Sequence, residues 1–316
     1  MNRPDDSILQ LDQLANVQRH ADRLLREASA YGRFPTPIDD LMAAAKLVVV
    51  EDEILDATLL ARFVSKLKSG LATVKSAFSK VLGLFESHDR LVVIDKNIPR
   101  PKLPFVKLHE AGHGTMPHQS RVYALMHDCE QTLDPDITDL FEREANVFAS
   151  ETLFQGKLFA EEAHAQAFSM KVPISLAKKF GASNYSAFRR YVTTNPSTCC
   201  LLVLEPVTYD LSGRLNIVVR RVVVSKSFHS MYDSNTLFQD IAAGHPISSA
   251  VPIGKRMVFP HEVLLNDRNG QQRKCMVEAF DTKHQILILI RDLGITKGAS
   301  IAVPGSTDFE VVFQKL

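Results

Sequence analysis

Residues 109–113 read His-Glu-Ala-Gly-His, and the fold of this 316-residue chain is read outward from them. On a helix, His109 and His113 lie one turn apart on one face, so both imidazoles reach a single metal ion. Glu110 projects about 100° round from His109, placed to act on water at the ion without ligating it. Water at Zn²⁺ falls from a pKa near 15.7 to roughly 7, which makes a hydroxide-like nucleophile available at neutral pH. A buried helix with two satisfied histidines would show the same five letters. The surroundings decide.

Upstream, Arg90-Leu-Val-Val-Ile-Asp95 is a short β-rich run closed by the turn formers Asp95 and Asn97. Pro101 and Pro104 confine the approach to a helix, and Phe105, Leu108, Ala111 and Gly112 supply apolar or small neighbours. The pattern predicts a strand leading into the helix, with the exposed edge of that strand holding an extended peptide by β-addition.

An open catalytic zinc site needs a third protein ligand and leaves the fourth position to water. In Phe141-Glu-Arg-Glu-Ala-Asn-Val-Phe-Ala149, the positions Phe141, Ala145, Phe148, Ala149 and Thr152 recur at helical spacing and predict a buried stripe. Glu142, Ala145, Asn146 and Ala149 share a face, so Glu142 is the expected third ligand and Asn146 its expected supporting partner. Glu144 points about 200° away from Glu142 and is expected to face solvent.

The two segments together, His-Glu-Ala-Gly-His and then Phe-Glu-Arg-Glu-Ala-Asn-Val-Phe-Ala-Ser-Glu-Thr-Leu-Phe over 141–154, resemble the ImmA/IrrE family of metallopeptidases. Strand-then-helix is the usual zincin arrangement. The likeness continues upstream in Pro37-Ile38, a helix over 39–46 and Leu-Val-Val-Val50. Downstream, Val172–Ser183 is similar to the family's helix-turn-helix-like segment, so the resemblance covers about residues 35–192. It implies that His109, His113 and Glu142 are metal ligands, with Glu110 as general base; two imidazoles and a carboxylate suit zinc, with manganese the alternative where availability in the cell decides. It also implies a narrow substrate: a helix-turn-helix transcriptional repressor, cut to release a stress, DNA-damage or defence/mobile-element response.

Several positions depart from the family pattern. Leu108 replaces the alanine usual before the first histidine, residues 57–88 read as an insertion, and Leu153-Phe-Gln-Gly156 replaces Leu-Leu-Met-Pro. The metzincin extension is absent, because Met116 and Gln119 stand where its Gly and third His would fall.

Outside these motifs, residues 8–31 predict an amphipathic helix broken by Phe34-Pro-Thr-Pro37, and residues 57–86 predict one or two basic amphipathic helices. Helical pattern continues over 157–192, with Gly181 at a turn and Asn184, Tyr185, Arg189 and Arg190 on a recognition-type helix. From residue 196 the texture turns to strands: a hairpin of 199–205 with 215–224, a helix over 233–243, apolar runs 256–263, 274–280 and 285–291, and a last strand over 308–313. Asn269-Gly270 is a hairpin signal between the first two of those runs. The expected fold is α+β. Residues 1–156 form a mainly helical zincin-like peptidase domain with a short sheet, 157–195 a helix-turn-helix-like segment, and 196–316 an α/β sensor domain. The IrrE branch carries a GAF-like domain in that last position, and its signal is expected to be single-stranded DNA or a small molecule.

Cys129 lies between the two motif helices, and its thiolate on the open zinc position would hold the enzyme latent; the alternative is a small buried hydrophobe. The vicinal Cys199-Cys200 pair reads as packing. His118, Tyr123 and His127 are the candidates for an oxyanion partner. A rival to peptidase activity is a DNA-binding regulator that uses the zincin fold as a scaffold. Another is a binding module with a structural zinc, closed by Cys129 or His118 as fourth ligand.

Charge gives little direction, because 37 Lys+Arg oppose 36 Asp+Glu. Residues 1–160 carry 19 against 23 and residues 161–316 carry 18 against 13, so the halves differ, at −4 and +5. The basic excess permits nucleic-acid contact without demanding it. The start of the chain lacks an apolar signal region, no long apolar run predicts a membrane span, and four cysteines without framework spacing fit a reducing cytoplasm.

Overall fold

A computed structural model describes residues 9–52, 83–86, 90–129, 134–209, 215–239, 241 and 244–295. The chain divides into two compact units, Pro4–Tyr191 and Val192–Leu316.

In the first unit, α1 (Leu11–Glu27) buries Val17, Ala21, Leu24 and Leu25, a single stripe at spacings of four, three and one. After the short α2 (Ile38–Ala44) comes a three-stranded sheet: β1 (Val48–Asp52), β2 (Gly83–Glu86) and β3 (Leu91–Asp95). Its order is β1-β3-β2, with β1 parallel and β2 antiparallel to β3. Val92, Val93 and Ile94 are buried on both faces, as a central strand requires. The predicted substrate-holding strand 90–95 is therefore not an edge. Its two flanks are already hydrogen-bonded, and β2 and β1 are the outer strands among the described residues.

Arg90 joins sheet and helices. It sits at φ 52°, and its guanidinium donates to the carbonyls of Ala45 (2.6 Å), Lys46 (3.1 Å) and Gly114 (3.3 Å). These are carbonyls at two helix C-termini, which have no intrahelical partner.

The motif helix α3 (Leu103–Thr115) begins with Pro104 in its first turn and buries Val106, Leu108, Glu110, Ala111, Gly112, His113 and Gly114. A helix buried on nearly every side is a central element, which is why its sequence lacks a polar stripe. It is followed by α4 (Pro117–Cys129) and α5 (Pro135–Leu153), the latter capped by Asp134, which accepts from Asp136 N–H at 2.8 Å. Three helices close the unit: α6 (Leu158–His164), α7 (Lys171–Phe180) and α8 (Asn184–Thr193), with Gly181 at φ 73° ending α7 as predicted for the turn.

Two residues that the sequence singles out, Gln155 and Arg190, acquire structural roles here. Gln155, in the segment that differs from the family pattern, is fully buried at φ 52°. Its amide donates to Arg33 O (2.8 Å) and Thr36 Oγ1 (3.1 Å) and accepts from Gly32 N–H (2.8 Å), fastening the turn after α1. Arg190, expected on a recognition-type helix, is instead drawn inward. It grips Glu151 through two bonds of 2.8 and 3.0 Å and donates to Gly156 O at 2.7 Å.

The predicted basic helices of 57–86 lie outside the described residues, except for 83–86, which form strand β2 rather than helix.

The second unit is a five-stranded antiparallel sheet. Its strands are β4 (Cys199–Leu204), β7 (Val219–Val224), β8 (Met257–Asn266), β9 (Gln272–Asp281) and β10 (Ile286–Ile295), in the order β7-β4-β10-β9-β8. The two-residue strands β5 (Thr208–Tyr209) and β6 (Leu215–Asn216) make a separate ribbon inside the predicted hairpin. The Asn269-Gly270 hairpin joins β8 to β9, with Gly270 at φ 75°. Short helices α9 (Lys226–Met231) and α10 (Ser234–Leu237) carry Phe228 and, just beyond their ends, Tyr232 and Phe238 to a core with Cys200, Leu202, Val277 and Ile288. The predicted helix over 233–243 is thus shorter, and the strand over 308–313 lies outside the described residues. Cys199 and Cys200 are fully buried, and burial pushes the Cys199 thiol up to about 12. Both behave as packing residues.

Candidate metal centre

The site forms where α3 and α5 cross. Gly112 permits the crossing: an added Cβ would stand 3.2 Å from Phe148 Cδ1 and 3.3 Å from Ala145 Cα. A side chain there would push α5 away, and Glu142 lies one turn before Ala145 on the same face. Gly114 does the same toward the sheet, where a Cβ would meet Phe85 at 2.9 Å and Leu47 at 3.0 Å.

Three ligand-type atoms converge. His109 Nε2 is 3.2 Å from His113 Nε2 and 3.2 Å from Glu142 Oε2, and His113 Nε2 is 3.5 Å from Glu142 Oε1. Among the described residues this is the one group of three or more His, Cys, Asp or Glu side chains able to hold a metal ion. Tetrahedral ligands at 2.0–2.1 Å from zinc lie roughly 3.3 Å apart, so the spacing suits that ion.

The chemistry of the cluster agrees. His109 Nδ1 lies 3.1 Å from Asn146 Oδ1 and His113 Nδ1 lies 2.7 Å from Gln119 Oε1. An amide oxygen only accepts, so each Nδ1 carries the proton and each Nε2 presents a lone pair. Two lone pairs and a carboxylate facing one another repel unless a cation lies among them, either a proton or a metal ion. Without a metal, the balance at His109 falls between burial, which disfavours its charge, and the Glu142 carboxylate, which raises its pKa above the usual value. Burial pushes His113 down to about 4. Glu142 keeps half its side chain exposed, leaving the cluster open on one side.

Glu110 is only 7% exposed and does not join the cluster. Burial raises its carboxyl to about 7; the charge of His109 and a hydrogen bond from the Phe85 backbone N–H oppose that rise. The strand beside Glu110 is therefore β2, the outer strand, rather than β3.

Of the oxyanion candidates, Tyr123 packs edge-on against His113 with ring centres 5.4 Å apart, and burial with the nearby Glu142 and Glu110 charges raises its phenol. His118 is turned away onto Glu144 at 2.6 Å. The side chains of His127 and Cys129 lie outside the described residues; Cys129 closes α4.

Two residues at the site escape sequence reasoning. Glu144, expected in solvent, is 4% exposed and receives Gln119 Nε2 at 2.6 Å as well as His118. The expectation rested on one buried stripe, but α5 carries a second buried face, with Val147 and Glu151 beside Glu144. Gln119, in the first turn of α4, is marked in the sequence only as the residue standing where the third metzincin histidine would fall, with no role expected of it.

A peptidase family model described as the IrrE N-terminal-like domain matches residues 70–190. The match supports the ImmA/IrrE resemblance and a metallopeptidase-like domain in the part of the chain that carries the site. No curated protein matches the sequence. Among solved structures, the chain is similar to a Mycobacterium tuberculosis transcriptional regulator at 14% identity, covering 88% of this chain and 76% of that one, with a TM-score of 0.48. No helix among the described residues is long and apolar enough to cross a membrane.

Proposed function

We propose that this chain is a zinc-dependent endopeptidase that cleaves a helix-turn-helix transcriptional repressor, with manganese as an alternative metal in the cell. The observation that carries the reading is the convergence of His109, His113 and Glu142, open on one side, with the buried carboxyl of Glu110 beside it. Zinc bound there would supply Lewis-acid polarisation of the scissile carbonyl and lower the pKa of water. Glu110 takes the proton of the attacking water and returns it to the leaving amine. Asn146 and Gln119 keep both imidazole rings turned with Nε2 inward. An extended substrate runs along β2, whose Phe85 N–H meets Glu110.

The domain assignment follows the same reading: a peptidase domain over 1–156, a helix-turn-helix-like segment over 157–195 serving substrate recognition, and a GAF-like sensor over 196–316. The antiparallel sheet with helices packed on its core supports a sensor of α/β type, responding to single-stranded DNA or a small molecule in the cytoplasm. Glu110 argues against a scaffold that only binds DNA, since a purely structural site has no use for a buried base. The engagement of Arg190 with Glu151 removes one cation that the DNA-binding reading needs.

The test is zinc content of purified protein against His113→Ala, followed by cleavage of the repressor encoded beside this gene. One zinc per chain, lost in the variant, and cleavage by the zinc form support the reading; a metal-free wild type overturns it.

A further inference from the structure

We infer that Gln119 and Glu144 form a positioning relay that fixes His113 as the Nδ1–H tautomer and so aims its Nε2 lone pair at the metal position. The inference rests on the proposed role of His113 as a ligand. Gln119 meets His113 at Nδ1, on the far side of the ring from that position.

Gln119 is fully buried, and its amide nitrogen faces two groups that can accept, Glu144 Oε2 at 2.6 Å and the Phe141 carbonyl at 3.3 Å. An amide presents its nitrogen on one side and its oxygen on the other, so fixing the nitrogen fixes the oxygen. That oxygen lies 2.7 Å from His113 Nδ1. Turning the amide over would set its oxygen against a carboxyl oxygen and a carbonyl, with a donor left facing Nδ1. Burial makes such mispairing costly, because no water is at hand to satisfy the two acceptors that lose their donor. The ring therefore donates from Nδ1, and Nε2 carries the lone pair that the cluster needs.

Glu144 is the anchor of this arrangement. It comes from α5, the helix that also carries Glu142, but from its opposite face. His118 donates to the same Oε2 at 2.6 Å and is 38% exposed, so the relay runs from the buried ring outward to the rim of α4. His109 is oriented from α5, where Asn146 Oδ1 meets its Nδ1 at 3.1 Å. The two histidines are thus oriented by different elements, His109 from α5 and His113 from α4 with α5 behind it.

The test combines two readouts on the full chain. Nitrogen-15 correlation spectra of the metal-free protein report the tautomer of His113, and competition with a chelator reports zinc affinity. Wild type shows the Nδ1–H tautomer. Gln119→Leu shows a tautomer mixture and binds zinc about 10–100-fold more weakly. Gln119→Glu is weaker than wild type because it opposes two carboxyl groups. The double variant Gln119→Glu/Glu144→Gln recovers most of that loss, because the carboxylate at 119 still accepts from Nδ1–H and the amide at 144 now donates to it. An Nε2–H tautomer in wild type, an unchanged tautomer and affinity in Gln119→Leu, or a double variant no better than Gln119→Glu each overturns the relay. Should wild type take up no more zinc than His109→Ala, the peptidase reading fails on its own, and the His113 tautomer of the metal-free protein still judges the relay.

Discussion

Gly112 and Ala145 meet backbone to backbone: a Cβ on Gly112 would stand 3.3 Å from the Ala145 Cα. This contact sets the distance between the helix that carries both histidines and the helix that carries Glu142. Three ligand-type atoms lie within 4.8 Å of one another because the two helices come this close.

Widening that contact should damage metal binding beyond its effect on stability. Gly112→Val introduces a branched side chain against a Cα and the Phe148 ring, an overpacking that costs about 1–3 kcal/mol. The expected outcome is a folded protein, by circular dichroism, whose zinc affinity has dropped at least tenfold. Unchanged affinity would mean that α5 is not held by this crossing.

The repulsive cluster predicts stabilisation by zinc. A ligand that binds only the folded state at a hundred times its Kd adds about 2.7 kcal/mol, a rise of several degrees in Tm. Thermal unfolding with and without zinc measures it. His113→Ala and Glu142→Ala should abolish the shift, whereas Glu110→Gln should keep it, since Glu110 stands outside the cluster.

Arg190 and Glu151 form a buried ion pair, with side chains 11% and 8% exposed. Arg190→Ala strands the carboxylate and should cost about 3–5 kcal/mol by urea denaturation, with any loss of DNA affinity following from unfolding. Burial raises the Glu151 carboxyl, but Arg190 and Gln18 outweigh it, so its folded pKa lies below the usual 4.5. The unfolded chain therefore takes up the proton first on acidification. The contribution is complete above pH 4.5 and is lost as pH falls through the folded value. Glu151→Gln should flatten that part of the acid stability profile; an identical profile would show that another group carries it.

Much of this site was legible in the sequence, and the reason is local geometry. The i, i+4 spacing of His109 and His113 and the i, i+4 spacing of Glu142 and Asn146 are properties of single helices, and the structure places each where the period puts it. What was not legible depends on neighbours remote in sequence. Strand 90–95 reads as an edge from sequence because the helical pattern over 57–86 hides β2, which pairs with it. Glu144 reads as solvated because the sequence pattern shows one buried stripe where the helix has two. Gln119 stands at the spacing of a third metzincin histidine, but its contact with His113 depends on the turn between α3 and α4 and on Glu144 from α5.

Tyr123 is the oxyanion candidate that the structure places against the centre. Tyr123→Phe should lower kcat for cleavage by roughly 10²–10³ with zinc affinity unchanged, measured by steady-state kinetics beside chelator competition. An unaltered kcat would remove the phenol from the chemistry.

The most direct measurement is cleavage of the adjacent-encoded repressor by zinc-loaded wild type and by Glu110→Gln, each with and without single-stranded DNA. The account predicts a single cut by wild type and none by Glu110→Gln, although both hold zinc equally. No cut by the zinc-loaded wild type in either condition, or equal cutting by the two proteins, would contradict it.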